Sequence, residues 1–219
     1  MRPPAPRRPA RAWASAIALA AAGAVAVAGC LYAAGVGAGT DSDAGAGTPE
    51  GHTAAARTAA VRAAGEAEVL DAAARPDAPE LAGDDLDGQP VSLAALRGQV
   101  VVINVWGSWC GPCRAEADEL ARLSAETRPA GVRFLGINTR DRDRAAARSF
   151  VRSHALDFPS IHDPDGRLLL RFPAALLNPQ AIPSTLVIDR RGRVAAAIGG
   201  AVTGDQLRPL LTRVAEETP

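Results

Sequence analysis

The strongest constraint on the fold is the join between residues 100 and 113. Val100, Val101, Val102, Ile103 and Val105 form a short apolar run broken only by Asn104. A run of that length, apolar on both faces, reads as a strand buried in a sheet that is covered on both sides. It leads into Trp109-Cys110-Gly111-Pro112-Cys113. From Gly111 to about Thr127 the pattern turns helical, with Leu120 and Leu123 on one face. Pro112 suits the first turn of such a helix, where its missing N–H has no intrahelical partner to lose. The chain therefore places two cysteines, three apart, where a buried strand gives way to a helix.

The flanking pattern extends this unit. Leu81–Gly83 and Pro90–Leu93 read as short edge strands around Asp87-Gly88, and residues 94–98 as a helical turn stopped by Gly98. Val132–Ile137 is a second buried strand. Residues 143–154 form a helix with Ala147, Phe150 and Val151 inward. Pro159–His162 gives a short strand and Leu168–Phe172 a short helix. Thr185–Ile188 and Val194–Ile198 flank Asp189-Arg190-Arg191-Gly192 as an antiparallel hairpin. Thr203 with Gln206 forms a capping box at the start of the last helix. The order β-α-β-α-β-β-α predicts an α/β sandwich around a mixed sheet.

This domain is expected over residues 79–219. Of the 49 alanines, 29 fall in residues 1–78, so the overall apolar content overstates the core-forming material there. Residues 31–78, rich in Ala, Gly, Thr and Asp, read as a flexible tether unable to bury enough surface to order itself. Residues 1–30 begin with Arg2, Arg7, Arg8 and Arg11, and no charge follows from 12 to 39. A basic start and an apolar run read as an export signal or a membrane anchor. Val27-Ala28-Gly29-Cys30 resembles a bacterial lipobox, whose cysteine is lipidated. An uncleaved spanning helix and full secretion remain alternatives, and all three place the domain outside the cytoplasm. The 24 basic and 24 acidic side chains balance, which argues against nucleic-acid binding through a broad basic field. Every basic residue is arginine, which excludes lysine Schiff-base chemistry.

Two cysteines at this spacing can close a disulfide within one helical turn. The first sits where unsatisfied N–H groups and the helix dipole favour a thiolate, so Cys110 is expected to be open to clients. Cys113 is expected to be shielded and able to attack a mixed disulfide. A structural bridge and half of a zinc site are the alternatives. Zinc needs two more ligands, and Cys30, His52, His154 and His162 offer no suitable pair, so no metal is expected. No cofactor is expected beyond the Cys110–Cys113 pair itself.

At this point the chain resembles the thioredoxin superfamily, and within it the membrane-tethered thiol–disulfide oxidoreductases of the TlpA/ResA type. The residues that carry the resemblance are Val100–Glu116, GVRFLGINTRD at 131–141 and AIPSTLVIDRRGRV at 181–194. The resemblance implies a thioredoxin-like three-layer sandwich. It implies that Pro183 is a cis proline facing the disulfide, that the Ile182 backbone pairs with a client peptide, and that residues 158–180 are the extra segment of this type. Trp109 matches the aromatic rim, with Gly111 and Pro112 completing the client-facing turn, whereas Trp106 reads as core. Glu116 matches a glutamate that tunes the site, with a plain first-turn acid as the alternative. Asn104 stands where thioredoxins carry a buried Asp, and Asp118 where a helix proline is common.

The resemblance further implies a tethered monomer that reduces client protein disulfides. Its implied client is apocytochrome c, with electrons from a membrane thiol donor. An envelope oxidant or general reductant, a non-catalytic binding lipoprotein and a peroxidase are the competing classes. The intact cysteine pair argues against the non-catalytic lipoprotein, and the lack of Thr-x-x-Cys around Cys110 against the peroxidase.

Overall fold

The computed structural model describes residues 62–63 and 69–217. Cys30 and the signal or anchor reading of residues 1–30 lie outside the described residues. Among the described residues no helix is long and apolar enough to cross a membrane.

The sheet is built around β4 (Val100–Trp106). It pairs in parallel with β5 (Val132–Thr139), which pairs in parallel with β6 (Ser160–Asp163). On its other side it pairs antiparallel with β7 (Ser184–Ile188), and β7 with β8 (Val194–Gly199). A two-residue strand, β1 (Arg62–Ala63), extends the sheet beyond β8. A separate hairpin joins β2 (Ala82–Asp84) to β3 (Pro90–Ser92). Over residues 79–219 the mixed sheet is present, with one strand more than the expected order: β6 enters it between α2 and the hairpin, and element ends shift by one or two residues.

Alternation along the strands divides the core in two. Val100, Val102 and Trp106 pack with three helices: α1 (Gly111–Thr127), α2 (Arg144–Ser153) and α3 (Gly204–Glu216). Val101, Ile103 and Val105 face the opposite layer, which contains Leu81, Leu93, Leu169, Phe172, Leu176 and Leu177. That third layer is made of the β2–β3 hairpin, single 3-10 turns and the 164–181 segment. Both α1 and α2 lie in right-handed parallel crossovers, which puts them on one face. Trp106 is buried as core, stacked on Phe150 with ring centroids 4.6 Å apart. Its Nε1 donates to Ser160 Oγ at 3.1 Å. That crossing requires glycine at 136, where a Cβ would come within 2.0 Å of Ser160 Oγ. The capping box of α3 forms, Thr203 accepting from Gln206 N and Gln206 Oε1 from Thr203 N.

Composition placed residues 69–78 in the tether, but the structure packs them along the sheet edge. Val69 is buried, and Leu70 N donates to the Ala195 carbonyl at 2.8 Å. Val194 N donates to Pro76 O and Ala78 N to Gly192 O. The side chain of Arg75 is buried between Asp189, at 3.1 Å, and Glu217, at 2.5 Å. Alanine-rich composition conceals this segment because backbone hydrogen bonds and the two ion pairs of Arg75 hold it, with Val69 its one buried apolar side chain.

Arg75→Ala would leave Asp189 with Arg193, 2.9 Å away, as its remaining cation, which costs about 1–3 kcal/mol. A chain beginning at Pro79 should lose at least as much against one beginning at Val69. Urea unfolding measures both, and equal midpoints for the two chains would return residues 69–78 to the tether.

Candidate functional site

The site lies where β4 ends. Gly107 and Ser108 turn the chain, and Cys110 N–H donates to the Gly107 carbonyl at 3.1 Å. Trp109 is about half exposed, its indole folded back over Gly107, where a Cβ would meet the ring at 2.7 Å. Cys110 is the N-cap of α1 and its Sγ accepts from Cys113 N at 3.2 Å. Gly111 and Pro112 begin the helix, and nothing lies within 4 Å of where a Gly111 Cβ would stand. Cys110 and Cys113 are joined as a disulfide with S–S 2.07 Å.

The expectation of an open Cys110 is corrected. It is 4% exposed, against 1% for Cys113. In the bonded form its sulfur is turned inward toward Cys113, and the Ile182 carbonyl lies 3.7 Å away. The exposed element beside the pair is the Trp109 indole.

Ile182–Pro183 is a cis peptide, directly before β7, with Ile182 half-buried between the two halves of the core. Gly200 N donates to the Pro183 carbonyl at 2.9 Å, which ties this corner to the end of β8. The structure therefore brings Trp109, Cys110, Gly111, Pro112, Cys113, Ile182 and Pro183 into one neighbourhood.

Glu116 is no surface acid. It lies one helical turn past Cys113 on the same face and is 2% exposed. Its Oε1 accepts from Asn104 Nδ2 at 2.9 Å and its Oε2 from Val202 N at 2.8 Å. Asn104 Nδ2 also lies 3.3 Å from Thr185 Oγ1. Burial pushes the Glu116 carboxyl up from 4.5 to about 7, opposed by the Val202 and Asn104 donors, which favour the charged form. Asp118, by contrast, is exposed and sits 2.7 Å from His154 Nδ1. Helix α1 runs unbroken through position 118, where the common proline is missing.

Sequence reasoning did not single out Thr185 and Val202. The alternation of β4 and β7 offers a signal for Thr185, which stands opposite Asn104 in register. Val202 contributes a backbone N–H, for which residue type carries no signal. Among the described residues no group of three His, Cys, Asp or Glu side chains is placed to hold a metal ion.

This arrangement places a disulfide at a helix N-terminus, a backbone corner against its first sulfur, and a buried carboxyl on the helix behind its second. Comparison with known proteins agrees. Residues 75–197 match the AhpC/TSA family. The thiol–disulfide oxidoreductase ResA of Bacillus subtilis is 27% identical over 138 residues, covering 63% of this chain and 74% of that protein. The thiol:disulfide interchange protein DsbE of Pseudomonas aeruginosa is 36% identical over 128 residues, covering 57% and 66%. A secreted thiol-disulfide isomerase from Corynebacterium glutamicum superposes with a TM-score of 0.62 at 32% identity, covering 78% of this chain and all of that one. The chain belongs to the AhpC/TSA family of the thioredoxin superfamily, and within it to the TlpA/ResA-like thiol–disulfide oxidoreductases.

Proposed function

We propose that the chain reduces client protein disulfides on the outer face of the cell membrane, with apocytochrome c as its client. A membrane thiol donor returns it to the dithiol form. The observation that carries this reading is Glu116: a buried carboxyl one turn past Cys113 that changes charge near neutral pH.

In the reduced enzyme, the Cys110 thiolate attacks one sulfur of the client disulfide. The client S–S bond breaks, its second sulfur leaves as a thiolate and takes a proton from solvent, and a mixed disulfide forms. The client segment lies along the Ile182 backbone beside Pro183, with Trp109, Gly111 and Pro112 as the rim of that groove. Cys113 then transfers its proton to the Glu116 carboxylate and attacks the Cys110 sulfur. The Cys110–Cys113 bond forms and the remaining client thiolate departs, to be protonated in turn. Two electrons and two protons pass to the client, and the enzyme ends in the disulfide state. Cys113 is buried and has to give up a proton before it can attack, and a carboxylate one helical turn away gives that proton a place to go. The redox pair is the only cofactor this scheme needs, and a monomer suffices.

The N-terminal segment holds the enzyme at its place of work, through lipid on Cys30 or through an uncleaved helix. Intact-mass analysis of membrane fractions should find a mature chain starting at lipidated Cys30. A chain that retains residues 1–29 selects the helix instead.

Cys113→Ser should accumulate mixed disulfides with clients through Cys110, and Cys110→Ser should accumulate none. Non-reducing gels followed by mass spectrometry read this directly; equal trapping by both variants reverses the cysteine assignment.

Glu116 also makes a pH prediction. The folded protein holds this proton to about pH 7 and the unfolded chain only to its ordinary 4.5. Between those values the folded state binds more protons, so stability is fully present below the lower value and falls as pH rises through the upper one. The loss from this group is about 3 kcal/mol. Urea unfolding of the oxidised protein from pH 4 to 8 should show that fall in wild type and lose it in Glu116→Gln. In the reduced protein, Glu116→Gln should shift the pH profile of thiol alkylation, and Asp118→Asn should leave it in place. Matching profiles for wild type and Glu116→Gln would leave water as the proton acceptor.

A further inference from the structure

Ser108 stands two residues before Cys110, and all three of its polar groups are held. Its backbone N–H donates to Asp141 Oδ2 at 2.8 Å and its hydroxyl to Asp141 Oδ1 at 2.6 Å. Its carbonyl accepts from Arg114 Nη2 at 2.6 Å. Asp141 is buried, and its Oδ2 accepts a further bond from Asn138 Nδ2 at 2.6 Å. Both carboxylate oxygens are thus committed to holding the turn that carries the first cysteine.

The preceding residue reaches to the other wall of the site. Arg140 Nη2 donates to the Pro179 carbonyl at 2.5 Å and to Gln180 Oε1 at 3.5 Å. Pro179 and Gln180 lead into Ala181, Ile182 and the cis Pro183. Arg140 has φ 59°, a left-handed conformation that a non-glycine residue keeps only where its surroundings hold it. Its own N–H donates to the Asp163 carbonyl at 3.2 Å, which fastens this point to β6.

We propose that Arg140 and Asp141 are a two-armed positioning pair for the redox site. Asp141 fixes the Gly107–Cys110 turn and Arg140 fixes the 179–182 segment. One dipeptide just past the end of β5 therefore sets the gap between the Cys110 sulfur and the client-pairing backbone of Ile182. The proposal rests on the roles given above to Cys110 and Ile182. Neither residue touches the client. Each acts by holding a partner that does, and a misplacement of about 1 Å at such a gap is enough to cost up to a hundredfold in rate.

The test compares Arg140→Gln, Asp141→Asn and Asp143→Ala in the full chain, with insulin as the protein disulfide and dithiothreitol as reductant. Asp143 lies in the same loop but only caps α2, its carboxylate accepting from Ala145 N. Its loss lowers the melting temperature without touching the site. Arg140→Gln is expected to raise KM for insulin with kcat nearly kept. Asp141→Asn, which keeps one acceptor oxygen where two are needed, is expected to lower kcat/KM about tenfold. It should also shift the pH midpoint of Cys110 alkylation by iodoacetamide. Ser108→Ala removes only the hydroxyl bond and should move the same quantities by less, which covers the case in which Asp141→Asn does not fold. Site variants that behave as Asp143→Ala does, with a lower melting temperature but wild-type KM and alkylation profile, overturn the proposal. If wild type itself fails to reduce insulin, a general protein-disulfide reductase is ruled out, and the alkylation midpoints of Asp141→Asn and wild type still decide the positioning role.

Discussion

Strand β4 is hydrogen-bonded on both sides and covered on both faces, and the chemistry hangs from its C-terminal end. β5 pairs with all seven of its residues and β7 with five, and none of the seven is exposed. A slip of one residue would exchange the two faces. Asn104 would enter the wholly apolar set of Val101, Ile103 and Val105, where its amide would find no partner and cost several kcal/mol. The pairing register is therefore held by the one polar side chain as much as by the apolar ones. Once it is fixed, the last residues of the strand deliver the Gly107–Cys110 turn to the start of α1.

The same register decides what Glu116 meets. A carboxylate with no facing cation pays a large desolvation cost, and here two neutral donors, Asn104 and Val202, offset only part of it. That balance puts the carboxyl near 7 rather than at either extreme. An acid at position 104 would have placed two carboxyls within hydrogen-bond reach, which would then share their protons as a coupled pair. The carboxamide of Asn104 cannot titrate. It leaves Glu116 as a single site whose charge is set by burial against the Asn104 and Val202 donors.

How much of this was legible from the residues follows from what each interaction depends on. Periodicity found β4, α1, the hairpin and α3 because burial alternates with the side chain, which is what sequence records. The cysteine pair and the Ile182–Pro183 corner were legible as motifs. Glu116 was located on the Cys113 face, but its donor at Val202 was not, because that depends on the chain returning there with a backbone N–H. Residues 69–78 were hidden for the same reason: Leu70, Pro76 and Ala78 are held through main-chain groups, and a lone Arg75 among alanines looks like a solvated charge. The burial of Cys110 escaped prediction because the helix-start argument describes the thiolate, whereas the bonded sulfur is turned toward Cys113.

The position of the Arg75 lock also shows where the segment ahead of the domain is fastened. β7 runs antiparallel to β4, so Ser184, paired with Val105, stands at the redox end of the sheet, and Ile188, paired with Val101, at the far end. Arg75 grips Asp189 just past that far end, and Pro76 and Ala78 bond to the adjoining hairpin at Val194 and Gly192. The fastening point of residues 70–78 and the disulfide are thus separated by the length of the central strands. Between them lies a fully paired, close-packed sheet, which resists deformation. Upstream, Arg62 and Ala63 of β1 pair with Ile198 and Gly199, so the chain first joins the sheet at its redox end and is fastened by Arg75 at the far one. The gap between Cys110 and Ile182 is set at the redox end, by the Arg140–Asp141 dipeptide.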